Sequence, residues 1–161
     1  MGAICSRAVR TEKRRCIIVP MGPNPTDPGA ASCFDLSKVY VHLGLGSVAE
    51  RLTDFEWSAE YLKRYQEERA ADGDEGRLVM ISAQEKSWTT WERHPAGDEV
   101  VVALSGHQTL IQELDGEVHR IELHPGEAAI NPRGAWHTAD VHEPGSALFI
   151  TAGRGTEHRP R

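Results

Sequence analysis

Ser87-Trp-Thr-Thr-Trp-Glu-Arg-His94 has the composition of a β-strand, and it carries a carboxylate and an imidazole together on one of its two faces. Side chains alternate along a strand, so Trp88, Thr90, Glu92 and His94 point one way and Trp91 and Arg93 the other. Pro95-Ala-Gly-Asp98 makes a tight connection, and Glu99 opens the next strand opposite the first. Two carboxylates and an imidazole turned into one interior are costly without a shared cation or protons. One divalent metal ion removes that cost, and His137, on a later strand, supplies a second imidazole. Glu92, His94, Glu99 and His137 are therefore candidate ligands for such an ion. Glu92 has two other roles open to it, as a catalytic base beside a three-ligand ion or as a paired carboxylate with no metal. Trp88 and Thr90 share the inward face and are expected to line a pocket.

Outward from this stretch the pattern is one of short strands, expected near 77–83, 87–94, 99–104, 107–114, 117–123, 127–131, 135–140 and 146–151. Asp115-Gly116 is a two-residue hairpin signal, since both positions of such a turn need positive φ. His124-Pro-Gly126 and Asn131-Pro-Arg-Gly134 are further turns. Many short strands without an internal repeat indicate an all-β sandwich or closed barrel. Before residue 77, Lys38–Leu43 alternates as a strand. Thr53-x-x-Glu56 has the spacing of a capping box ahead of one amphipathic helix at about 54–70, with Trp57, Tyr61 and Tyr65 as an aromatic stripe facing the barrel. Residues 34–76 are thus expected to pack a strand and a helix on a barrel at 77–153, and 154–161 to be a tail.

The spacing of the charged residues resembles the cupin superfamily. The first cupin motif, His-x-His, three or four residues, Glu, six residues, Gly, is met by Glu92-x-His94, Glu99 and Gly106. The second, Gly, five residues, Pro-x-Gly, two residues, His, three residues, Asn, is met by Gly126, Pro132-x-Gly134, His137 and Val141. Seven of the nine anchor positions fit, in order, over roughly residues 77–153. The resemblance implies a double-stranded β-helix (jelly-roll) fold, usually a homodimer, with a metal held at these positions. Glu92 stands where the family usually has His, and Val141 where it usually has Asn. Two imidazoles and two carboxylates suit Fe(II), Mn(II), Ni(II) or Zn(II).

Charge narrows the partners. The 161-residue chain carries a net charge of -6, which argues against nucleic acid, because phosphate contacts call for a basic surface. Residues 1–33 oppose that trend, with Arg7, Arg10, Lys13, Arg14 and Arg15 against Glu12 and Asp27. Met21-Gly-Pro-Asn-Pro-Thr-Asp-Pro-Gly29 reads as linker, so 1–33 is expected to be a disordered basic leader. Met1-Gly-Ala-Ile-Cys-Ser6 matches the N-myristoylation pattern, but the leader reading is preferred and no membrane partner is expected. Cys5, Cys16 and Cys33 form neither a disulfide framework nor a zinc knuckle, and a barrel without cysteine suits the cytoplasm. The expected function is a metal-dependent enzyme acting on a small polar organic molecule, by isomerase, lyase or oxygenase chemistry. The alternative is a non-catalytic small-molecule binder or sensor on the same barrel.

Overall fold

The computed structural model describes residues 32–161, of which Asp35–Arg161 forms one compact unit. The leader and its acylation pattern thus lie, but for the leader's last two residues, outside the described residues. The compact unit runs β1 (Tyr40–Gly44), β2 (Val48–Leu52), α1 (Ala59–Glu68), β3 (Arg77–Gln84), β4 (Thr90–Arg93), β5 (Glu99–Leu114), β6 (Glu117–Leu123), β7 (Ala128–Asn131), β8 (Trp136–Thr151) and β9 (Glu157–Pro160). No helix among the described residues is long and apolar enough to cross a membrane.

Every strand pairing is antiparallel, and two long strands, β5 and β8, pass from one sheet to the other. One layer is β2-β1-β3, the second half of β8, the first half of β5, and β7. The other is β9-β4, the first half of β8, the second half of β5, and β6. This curled arrangement is the expected double-stranded β-helix. Val101, Ala103, Leu110, Leu123, Ala129, Ala147 and Phe149 fill the space between the layers, with Met80, Trp88 and Ile121 packed against them. Apolar side chains at alternating strand positions bring about this core, the valine, leucine and phenylalanine side chains each contributing of order 1.5–3 kcal/mol when fully buried.

Four expectations change. The pairs 99–104 with 107–114, and 135–140 with 146–151, are each one continuous strand, because β5 and β8 stay paired through bulges at Ser105–Gln108. Gly106 and Gly145 make that crossing possible: a Cβ on Gly145 would overlap the Ser105 carbonyl, and Gly106 has φ 78°. The tail at 154–161 contains β9, which pairs with β4. Arg159 holds it there, over the Trp136 ring at 4.5 Å and the Trp91 ring at 5.2 Å, with Glu113 at 2.6 Å. The helix starts at Ala59, later than its capping-box spacing predicts. Ser58 is the N-cap, its Oγ accepting from the Tyr61 amide, while Phe55 packs against Tyr40, Trp57 and Tyr61 in an aromatic cluster. The hairpin at Asp115-Gly116 has positive φ at both positions, 53° and 83°. His42, outside the motif spacing, is buried, with Tyr65 and Asp72 each 2.8 Å from one of its ring nitrogens.

The two glycine environments differ enough to be told apart by stability. Gly145→Ala should cost about 3 kcal/mol, since overpacking here pushes on backbone rather than on a side chain that can move. Gly116→Ala, with open space around the site, should cost only the left-handed penalty of about 1–2 kcal/mol. Urea unfolding of the two variants checks this, and equal losses would contradict the crossing described.

Candidate metal centre

The β-ladder brings the four expected residues together from three strands and one connection. Glu92 on β4 lies directly opposite His137 on β8, and Glu99 opens β5 opposite Asn131 on β7. His94 follows β4 immediately. Their ligating atoms all fall within 4.8 Å of one another. His94 Nε2 lies 3.6 Å from Glu92 Oε1 and 3.3 Å from Glu99 Oε1. His137 Nε2 lies 3.4 Å from Glu92 Oε1 and 3.3 Å from Glu99 Oε2. The side chains of Glu99 and His137 are each 1% exposed, whereas Glu92 is 22% exposed.

Outer partners hold each group in place. Glu99 accepts hydrogen bonds from Asn131 Nδ2 at 2.9 Å and from the Thr151 hydroxyl, and Asn131 Oδ1 accepts from Gln112 Nε2 at 2.6 Å. His137 Nδ1 donates to the Ala135 carbonyl at 3.1 Å, which can only accept. The Thr156 hydroxyl gives its hydrogen to the Gly153 carbonyl at 3.0 Å, so it accepts from His94 Nδ1 at 2.9 Å. Both rings therefore carry hydrogen on Nδ1 and turn Nε2 inward, as in metal-ligating histidines with an outer partner.

The two Nε2 atoms are buried and have no hydrogen-bond partner. Their distances to the carboxylates exceed the usual 2.7–3.2 Å of an N–H···O bond. They agree instead with the edges of a coordination shell: ligands about 2.1 Å from a central ion stand ~3.4 Å apart in a tetrahedron and ~3.0 Å in an octahedron. The donor set thus fits one divalent ion. Without an ion, protons must balance the charge. Burial pushes the Glu92 carboxyl up, but His137 and His94 outweigh it and hold it at about 2. Glu99, also opposed by burial, is held well below the usual carboxylate range by the same two rings. Burial disfavours imidazolium at His94 and His137, yet Glu92 and Glu99 raise both to about 9.

A cleft of about 680 Å³ opens beside the cluster, lined by Trp88, Thr90, Glu92, Met80 and Phe149 and by a polar rim that includes Lys86. Trp88 belongs to both cleft and core; it precedes β4 and donates from Nε1 to Gln84 at 2.8 Å. His158, on β9, lies opposite Glu92 of β4 with Nε2 3.2 Å from Glu92 Oε2, its side chain 56% exposed. Thr156 and His158 escaped the sequence reading because Glu157–Pro160 is too short to show strand alternation. Asn131 was hidden by its place at the start of an evident turn.

The cupin domain family matches residues 77–153. No curated protein matches the chain. Among solved structures, hydroquinone 1,2-dioxygenase from Sphingomonas sp. TTNP3 is 19% identical over 47% of this chain and 58% of its own, with a TM-score of 0.40. The chain thus spans less than two thirds of that protein. A cupin-2 domain containing protein from Shewanella frigidimarina is 21% identical over 53% of this chain and 71% of its own, TM-score 0.40. Oxalate decarboxylase from Bacillus subtilis is 15% identical over 59% of this chain and 26% of its own, TM-score 0.45.

The ion-free protein should show the pH signature of this cluster. Raised histidines stabilise fully below their unfolded value of 6.5 and lose that contribution as pH rises through about 9. Lowered glutamates stabilise above 4.5 and lose it as pH falls toward about 2. Stability after chelation should therefore be greatest between about pH 4.5 and 6.5 and decline from 6.5 to 9.5. Urea midpoints across this range measure it; a midpoint that holds or rises above pH 6.5 would contradict the cluster's charges.

Proposed function

With residues 77–153 a member of the cupin family, we propose that this protein is a metal-dependent enzyme that transforms a small polar organic molecule bound in the cleft beside Glu92. The observation that carries the reading is the double position of Glu92: it alone of the four clustered residues also lines the cleft. Glu99, His94 and His137 are buried behind it. A ligand in the cleft therefore meets the cluster from the Glu92 side.

Glu92, His94, Glu99 and His137 would hold the ion, which supplies Lewis-acid polarisation of a substrate oxygen or one-electron chemistry according to the metal. The chain's own residues do the rest. Oε1 of Glu92 faces both imidazoles, while Oε2 faces His158 at 3.2 Å, at the solvent rim. A proton taken from substrate at Glu92 Oε2 has an acceptor within reach and a way to water. The Trp88 ring and Phe149 exclude water from one wall of the cleft, and the polar rim orients substrate. Isomerase, lyase and oxygenase chemistry are all compatible with this arrangement, because the fold hosts many activities.

Metal titration with turnover assays tests the proposal. The wild-type chain should take up one Fe(II), Mn(II), Ni(II) or Zn(II) ion in the barrel interior, and His137→Ala, left with three of the four donors, should bind it much more weakly. Thr156→Ala, which removes only the partner of His94, should weaken affinity about 10–100-fold. Glu92→Gln should abolish turnover of whichever small polar compound the wild type converts. Failure of the interior to take up any of these ions would overturn the reading, and binding of metal and compound without turnover would make the protein a binder or sensor.

A further inference from the structure

A second group of ligating side chains stands at the bend of β5, about 26 Å of extended strand from Glu99. The register irregularities between Ser105 and Gln108 re-aim His107 at this bend, as β-bulges do. The His107 ring lies between two others: His124, stacked at 4.4 Å and 12°, and His142, at 4.7 Å and 41°. Glu122 Oε2 is 2.9 Å from His107 Nε2. Ligating atoms of His107, Glu122 and His124 lie within 4.8 Å of one another.

Each residue is placed by its own local structure. Glu122 is on β6, opposite Thr109. His124 begins the β6–β7 turn, where its amide donates to Glu127 Oε2 at 2.8 Å and its carbonyl accepts from the Glu127 amide at 2.9 Å. His142 is held by Thr109, whose Oγ1 lies 2.7 Å from His142 Nε2. His107 is half-buried and the other two histidines are exposed, so core packing does not account for three imidazoles meeting here. Glu143, opposite His107 on β8, adds negative charge to the rim.

We propose that His107, Glu122 and His124 form a second site, at the surface, for a divalent transition cation of the Zn(II), Ni(II) or Cu(II) class. Two imidazoles and one carboxylate are a sufficient zinc donor set with a position left for water. His142 packs against His107 and limits its rotation. Such an ion would clip the bend of β5 to the β6–β7 turn, independently of the barrel interior.

Zn(II) titration of the untagged full chain by calorimetry tests the site. His107→Gln/His124→Gln should bind one zinc fewer than wild type, with an unchanged unfolding midpoint in chelator. The same loss of one zinc should appear when these substitutions are added to His94→Ala/His137→Ala, which separates this site from the interior one. Equal stoichiometry with and without the surface substitutions overturns the proposal. In His94→Ala/His137→Ala, which removes both imidazoles of the interior cluster, substoichiometric Cu(II) should broaden the His107 and His124 ring resonances before those of His119; simultaneous or absent broadening also overturns it.

Discussion

The Glu99 carboxylate, 1% exposed in the middle of a β-barrel, is the constraint around which the rest of this protein is arranged. An ionised carboxylate there is tolerable only with opposite charge and hydrogen bonds on every side. Asn131 and Thr151 satisfy its oxygens from neighbouring strands, and His94 and His137 bring the positive charge or the ion between them. Gln112 continues the network by fixing the Asn131 amide. Glu92 adds a second carboxylate, which makes the cluster more acidic than a three-histidine site and raises its preference for a divalent cation.

The scaffold serves this cluster through two long strands. β5 begins at Glu99 and ends close to Gln112, so its bend returns the chain to the site it left. β8 does the same, carrying His137 at one end and Thr151 at the other. Both bends need glycine, at 106 and 145, because the backbones touch there. β9 then closes the open edge of β4. Thr156, just before that strand, turns His94, and His158 within it reaches Glu92, so the last residues of the chain belong to the site they cover.

What the sequence discloses is what local geometry governs. Strand alternation places Glu92 and His94 on one face, and the short connection through Pro95–Asp98 brings Glu99 opposite, so local geometry gathers three of the four residues; His137, on a distant strand, joins them only through the second motif of the resemblance. Asp115-Gly116 announces its own turn. The contributions of Asn131, Thr156 and His158 depend on pairings between distant segments, such as β4 with β9, that no periodicity reveals. The continuity of β5 and β8 was hidden for a related reason: Gly106 and Gly145 look like strand ends, and only their mutual contact shows that the ladders run on. His42 looks solvent-facing until Asp72 and Tyr65, far along the chain, are folded onto it.

The proposed metal centre is defined by the donors that would surround a single ion in the barrel. X-ray absorption at the metal edge, on the full chain loaded with one equivalent in a His107→Gln/His124→Gln background, reads those donors directly. The structure leads to a shell of nitrogen and oxygen at about 2.0–2.2 Å, with two imidazole scattering patterns that fall to one in His137→Ala. A sulfur shell at about 2.3 Å, or imidazole scattering unaltered by His137→Ala, would place the ion elsewhere and contradict the account.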